Sequence, residues 1–274
     1  MKNVRSLLLL VFCLLPVLTH GQLYEQSVRQ IIDAIAADSL VKAEGMIRET
    51  LQLDPSRKSN AVLYQYLGEI YQLQGKNDKA LEAYGSGIKL SPTVSLLLSR
   101  ASLYMQTSNM ERALSDYNQV LEIEEDNEES LFFRAYIYSQ QRRNKEARAD
   151  YSHLLKLNPK HEDGRLGLAI LNSKDGRPRE AMEQLDALIL LYPTHARHYL
   201  ARCGLYEQRK EYENALKDVE KAIELEPDNN ECYLTRASLY LSMKKKRLAR
   251  EDCQTAIRLG ASMEQVAPLL NGSR

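Results

Sequence analysis

The sequence predicts an all-α protein, an α-solenoid made of about seven helical hairpins. Three observations support this fold class: an alanine recurs with a nearly fixed period, apolar residues within each period follow helical spacing, and a proline recurs near the period's end. The alanines lie 34 residues apart, except for the first two intervals of 37 and 33: Ala43, Ala80, Ala113, Ala147, Ala181, Ala215 and Ala249. Such a period accommodates two antiparallel helices and a turn, so we expect one hairpin per repeat.

Each repeat carries the apolar pattern of two helices. In the fourth repeat, Leu131, Ala135 and Tyr138 are spaced for one helix, and Ala147 and Leu154 for the next. A small residue recurs in the first helix, where we expect the two backbones to approach closely: Gly68, Ala101, Ala135, Ala169, Cys203 and Ala237. Tyrosines recur in the first helix, and prolines end the second: Tyr71, Tyr104, Tyr138, Tyr206 and Tyr240, with Pro55, Pro92, Pro159, Pro193 and Pro227.

The second repeat shows the full pattern, which is Tyr64-x-x-Leu67-Gly68-x-x-Tyr71, then Ala80, Tyr84 and Pro92. This pattern resembles the tetratricopeptide repeat family nearly position for position, and the other repeats match it in part. The resemblance covers nearly the whole mature chain. It implies a right-handed superhelix of about seven helix-turn-helix units, whose first helices line a concave inner face.

The repeat frame divides the chain into segments. We expect a signal peptide at 1–21, a degenerate first unit that caps the array at 22–60, and a capping segment with a tail at 263–274. Six full units lie between them, at about 61–93, 94–127, 128–161, 162–195, 196–229 and 230–262. Pro268 is expected to limit the length of a helix beginning near Met263.

The first 21 residues are typical of a signal peptide. Lys2 and Arg5 precede a mostly aliphatic run from Leu7 to Leu18, which is too short to span a bilayer. Thr19 and Gly21 stand three and one residues before the expected cleavage site. The sequence therefore predicts export, to the periplasm or out of the cell.

Composition excludes some partners. The chain has 37 basic and 37 acidic residues, so its net charge of zero favours neither nucleic acid nor an anionic membrane as a partner. After the leader, three cysteines remain: Cys203, Cys232 and Cys253. We interpret them as small residues in packed helix positions, with one disulfide and one free thiol as the alternative.

Four repeats carry an arginine just before the small residue and an aspartate 16 residues later. The pairs are Arg100 with Asp116, Arg134 with Asp150, Arg202 with Asp218, and Arg236 with Asp252. Because the two residues occur together or not at all, we expect a charge-assisted ion pair within the hairpin or to the adjoining unit. The alternative interpretation is a row of arginines that binds a ligand.

The resemblance places a second row of residues on the concave face. It consists of Leu98, Met105, Phe132, Tyr136, Leu166, Ile170, Leu200, Leu234 and Leu241, with Gln and Ser between them. Relatives that hold a C-terminal carboxylate use one Lys and two Asn on this face, and this chain lacks that set. We expect the row to bind an apolar segment of another protein. The equal alternative is that part of it packs against the next unit or the C-terminal segment.

We find no pattern that predicts catalysis, a cofactor or a metal ion. Ser86, in Gly85-Ser86-Gly87, falls inside a predicted helix without a preceding strand, unlike a nucleophile elbow. His195 and His198 straddle a turn, and we expect no Cys or carboxylate ligand near them, so the two histidines alone would make a poor metal site.

The sequence thus predicts a non-catalytic protein-interaction scaffold. Two alternatives stay open: a self-assembling structural component of an envelope complex, whose ends insert into a neighbour's groove, and a carrier of a lipid or glycan, which requires a closed apolar pocket.

Overall fold

A computed structural model describes residues 20–272. These residues divide into two compact units, 20–125 and 126–272. Between residues 20 and 272 the regular structure consists of fifteen α-helices and one 3-10 helix, without a strand, which confirms the predicted all-α class. No helix in this range is long and apolar enough to cross a membrane. The expected signal peptide lies outside the described residues, apart from His20 and Gly21.

The first unit contains three helical hairpins. They are α1 His20–Ala36 with α2 Leu40–Leu53, α3 Ala61–Leu73 with α4 Asn77–Leu90, and α5 Val94–Gln106 with α6 Met110–Ile123, and the 3-10 helix Lys58–Asn60 precedes α3. The helices of each hairpin pack on each other, and the second helix of a hairpin also packs on the first helix of the next.

The second unit repeats this arrangement four times and adds a final helix. Its hairpins are α7 Glu128–Gln140 with α8 Asn144–Leu157, α9 Glu162–Lys174 with α10 Pro178–Leu191, α11 Ala196–Gln208 with α12 Tyr212–Leu225, and α13 Asn230–Ser242 with α14 Lys246–Arg258; α15 spans Met263–Gly272. Here the first helices of successive hairpins also contact each other, from α7 to α13. They therefore form one continuous layer within this unit.

Small side chains occupy the contact between the two helices of every hairpin. The recurring alanines of the second helices are completely buried, and so are Ala101, Ala135, Cys203 and Ala237 in the first helices. Gly68 shows why size matters, because a Cβ atom added there would lie 2.3 Å from Cε1 of Tyr84. Close packing of the paired helices thus depends on residues with little or no side chain.

The three cysteines of the described chain belong to this packed interior. Cys203, Cys232 and Cys253 are buried and carry free thiols. Their surroundings are the apolar residues of the helix contacts, such as Ala215 and Val219 around Cys203. They act as small apolar side chains here.

The turn inside each hairpin contains one residue in the left-handed region. These residues are Asp38, Gly75, Ser108, Arg142, Gly176, Lys210 and Lys244, with φ between 53° and 71°. At Gly176, φ is 71°, and the next amide, from Arg177, donates to the carbonyl of Asn172 at 2.8 Å. This bond closes the end of α9 and reverses the chain into α10.

The C-terminal helix differs from the expectation, because α15 continues through Pro268 to Gly272. At its start, the Ser262 amide donates to Gln265 Oε1 at 2.9 Å, and the Gln265 amide donates to Ser262 Oγ at 3.3 Å. Val266, Leu269 and Leu270 pack against the last hairpin. This packing offsets the one backbone hydrogen bond that proline removes.

Each of the four arginines forms a bidentate ion pair with the aspartate of its own hairpin. Arg134 donates from Nε to Asp150 Oδ2 at 2.7 Å and from Nη2 to Oδ1 at 2.8 Å. The other three pairs have the same geometry, with distances of 2.6–2.8 Å. The aspartates are buried, and hydrogen bonding to them raises the pKa of each arginine. The arginine row therefore joins the two helices of a hairpin.

Replacing Arg134 with alanine should lower the free energy of unfolding by about 3 kcal/mol, because the Asp150 carboxylate stays buried without its cation. Urea unfolding measures the change. Arg247→Ala is the control, since Arg247 and its partner Glu251 are exposed by 79% and 52% and such pairs contribute little. Equal stability of Arg134→Ala and the wild type would refute a stabilising role of the pair.

Two glycine substitutions should change stability in opposite directions. Gly176→Ala should lower the free energy of unfolding by about 1 kcal/mol because of its positive φ. Gly204→Ala, inside α11, should raise it by about 0.5 kcal/mol through helix propensity. At both positions an added Cβ has no heavy atom of the described chain within 4 Å, so crowding contributes to neither. Thermal unfolding of the two variants tests the turn geometry, which a stabilised Gly176→Ala would contradict.

Candidate functional site

The predicted groove residues all lie on first helices. In the first unit, α5 carries Leu98 and Met105. In the second unit, α7 carries Phe132 and Tyr136, α9 carries Leu166 and Ile170, α11 carries Leu200, and α13 carries Leu234 and Leu241. These side chains are half-buried, except for Ile170, which is 43% exposed.

Three clefts open on the first-helix layer of the second unit, and Ile170 lines all of them. A cleft of about 800 Å³ is lined by Tyr136, Gln140 and Lys174, among others. A second, of about 220 Å³, includes Leu200 and the gap above Gly204. The third, of about 330 Å³, extends from Leu166 to Thr235 on α13. We call this surface, centred on Tyr136, Ile170 and Leu200, the α7–α11 groove.

The groove combines apolar side chains with a polar border of neutral and charged residues. Ser173 on α9 donates to Gln208 Oε1 on α11 at 3.1 Å, which links the border residues of two hairpins. Tyr151 lines the largest cleft, and burial raises the pKa of its phenol, so that it stays neutral at pH 7. Charged side chains also line two of the clefts: Arg142 and Lys174 in the first, and Arg197, Glu226 and Glu231 in the third.

Other members of the predicted row contact the protein itself. The ring of Phe132 packs against those of Phe133 and His161, with centroids 5.1 and 5.6 Å away. Leu234 and Leu241 pack against the cluster that contains Val266 of α15. At the last hairpin the row is therefore partly covered by the C-terminal helix, and the continuous open surface lies on α7, α9 and α11.

A cluster of polar residues beside this surface was missed in the sequence. His195 and His198 do have a carboxylate neighbour, because Glu162 Oε1 lies 2.8 Å from His195 Nδ1 and 3.0 Å from His198 Nε2. Glu162 begins α9, while both histidines stand at the start of α11, one repeat further on. The expectation that the histidines lack a carboxylate ligand is therefore wrong, because packing of adjacent hairpins supplies one.

Sequence comparison gives consistent matches over most of the chain. Two models, each described as tetratricopeptide repeat, match this chain, one at residues 61–94, 94–127, 204–229 and 231–259 and the other at 140–203. Among curated proteins, human (Homo sapiens) DnaJ homolog subfamily C member 7 is 37% identical over 82 residues. That match covers 29% of this chain and 17% of the human protein, so the chain spans less than a fifth of that relative's length.

Solved structures show the same fold. A tetratricopeptide repeat protein from Parabacteroides merdae is 29% identical, with 91% of this chain and 98% of that chain covered and a TM-score of 0.70. YrrB, described as a TPR protein with an unusual peptide-binding site, is 18% identical over 73% of this chain and 97% of its own, with a TM-score of 0.59. Pseudomonas aeruginosa pilF is 16% identical over 78% and 98%, with a TM-score of 0.60. The repeat period, the paired helices and these matches agree: the chain belongs to the tetratricopeptide repeat family.

Proposed function

We propose that this protein is a non-catalytic scaffold that binds an apolar segment of another protein in the α7–α11 groove. The observation that carries the proposal is the position of Ile170, a 43% exposed aliphatic side chain that lines three clefts at once. An open surface of this kind, repeated from hairpin to hairpin, is typical of sites that hold a peptide or a partner's helix.

The size of the contacts decides how such a segment binds. Covering the exposed part of one aliphatic side chain contributes only about 1 kcal/mol. Contacts in a single cleft therefore contribute too little binding free energy. The partner must extend at least from Tyr136 on α7 to Leu200 on α11. Affinity arises from several shallow contacts in a row, and the polar border residues, such as Gln140 and Gln208, select the register.

The reactive side chains support a non-catalytic role. Burial raises the pKa of Cys203 to about 12 and that of Cys232 to about 11, so their thiolates are negligible at neutral pH. The Ser86 hydroxyl donates to the carbonyl of Glu82 at 2.9 Å within α4. These groups serve the helices rather than a reacting substrate.

Solved structures of similar fold support the kind of partner that we propose. YrrB is described as having a peptide-binding site, and the present chain shares its fold at 18% identity. The likeness supports a protein or peptide as the partner; the location and apolar character of the site are inferred from this chain's own side chains.

We also propose that the protein works outside the cytoplasm, in the periplasm or beyond the cell. The support is the leader at 1–21, with its short aliphatic run behind Lys2 and Arg5. The net charge of zero is consistent with this proposal, because it favours neither nucleic acid nor an anionic membrane as the target.

The groove is tested by placing a charge at its centre. Ile170→Glu should reduce retention of protein partners from an envelope extract by at least about tenfold, because a carboxylate in the apolar contact would be desolvated. The matched control is Ile257→Glu on α14, since Ile257 is 39% exposed and lies on a second helix. Quantitative mass spectrometry of the bound fraction measures both variants.

Partner recovery by Ile170→Glu equal to that of Ile257→Glu would refute the groove. Light scattering across concentrations distinguishes the self-assembling alternative, which predicts oligomers that Ile170→Glu dissociates. Native mass spectrometry distinguishes the carrier alternative, which predicts a retained lipid or glycan.

A further inference from the structure

The cluster of Glu162, His195 and His198 has the composition of a metal site. It joins two adjacent hairpins of the second unit, because Glu162 is the first residue of α9 and the histidines stand at and just inside the start of α11. One carboxylate oxygen, Glu162 Oε1, lies 2.8 Å from His195 Nδ1 and 3.0 Å from His198 Nε2. The three donor atoms all lie within 4.8 Å of one another.

The buried member of the cluster lacks well-aligned hydrogen bonds. The His198 side chain is completely buried, and its ring nitrogens have no well-aligned hydrogen bond among residues 20–272, although the Tyr192 carbonyl and the Glu162 carboxylate both act on the ring. Buried polar groups are nearly always satisfied, so an exception of this kind calls for a ligand or an ion. Its Nε2 already faces the carboxylate of Glu162.

We infer that Glu162, His195 and His198 form a binding site for a divalent transition-metal ion, and that the donor set favours Zn²⁺. Two imidazole nitrogens with one carboxylate oxygen are ligands that Zn²⁺ prefers. Bonds of about 2.0–2.2 Å place the donors of one zinc ion about 3–3.5 Å apart, close to the two short distances already present. His195 is 46% exposed, so the remaining coordination position is open to water.

An aromatic side chain packs on both histidines of the cluster. The ring of Tyr192 stacks on His195 at 5.5 Å and lies 5.9 Å from His198, while its hydroxyl donates to the Lys160 carbonyl at 2.6 Å.

Arg197 is the competitor for this site. Its Nε donates to Glu162 Oε1 at 3.0 Å, and its Nη1 lies 2.9 Å from Asp163 Oδ1. A metal ion on Glu162 must displace this guanidinium, which is 48% exposed and can keep its contact with Asp163. The site therefore holds either the arginine or the ion, and removing the arginine should strengthen metal binding.

Calorimetric titration of Zn²⁺ into the purified chain, without a polyhistidine tag or any partner, tests the inference. We expect one ion per chain. His195→Ala and Glu162→Gln should each weaken Zn²⁺ binding at least about tenfold. Even the mutation of a residue that only orients a metal ligand lowers metal affinity by about this factor. Arg197→Ala should tighten Zn²⁺ binding severalfold. His195 makes no capping hydrogen bond and is half exposed, so His195→Ala is expected to fold normally.

His153→Ala is the matched control, because His153 Nε2 also lies 2.8 Å from a carboxylate oxygen, that of Asp126, and His153 is similarly exposed. It should leave Zn²⁺ affinity unchanged. Co²⁺ absorption gives a second readout, with visible bands in the wild type that His195→Ala loses. Absence of Zn²⁺ binding by the wild type, equal affinity of His195→Ala, or weaker binding by Arg197→Ala would overturn the inference. Because the titration contains no partner protein, a negative result would refute the metal site without bearing on the proposed groove.

Discussion

The close approach of the two helices in each hairpin is the constraint on which the rest of the structure depends. Completely buried alanines such as Ala135 and Ala147 recur on the paired helices, and at Gly68 even a Cβ atom would lie 2.3 Å from the Tyr84 ring. Because this contact recurs about every 34 residues, each hairpin presents its first helix in the same way within a unit. The bidentate pair of Arg134 with Asp150 adds a polar bond across the same contact, since only a short separation lets the guanidinium reach the carboxylate. Packing and ion pairs therefore fix the positions of the exposed side chains.

The proposed activities use what this packing leaves exposed. On α7, α9 and α11 the layer of first helices is partly open: Tyr136 and Ile170 line clefts, and Leu200 lines a cleft with one side while packing against two core clusters with the other. On α13 the same repeat positions lie against α15 and contribute to the interior. The junction between hairpins provides a second kind of surface, where the start of α9 meets the start of α11 and brings Glu162 to His195. A binding groove and a metal site can thus share one unit, with Arg197 lying between them.

The sequence predicts what repeats and local spacing determine. The period of alanines such as Ala113 and Ala147 predicts the hairpins, and a constant offset of 16 residues marks the arginine and aspartate that pair. Other features depend on contacts that a period does not specify. Glu162 reads as an ordinary acidic residue at a helix start, and only its position one repeat before His195 signals the contact. The positive φ of Arg142 cannot be predicted from the sequence. Glycine usually marks such a position, but it occupies only two of the seven turns. The helix through Pro268 depends on tertiary packing that outweighs a local rule.

The central claim is that the first-helix face between α7 and α11 receives a segment of another protein. Site-specific photocrosslinking tests it most directly, with a photoreactive amino acid in place of Ile170, or of Ile257 as the matched position on a second helix. The account predicts a discrete adduct with a different protein from position 170 and none from position 257. Equal crosslinking from both positions, or an adduct from position 257 alone, would contradict it.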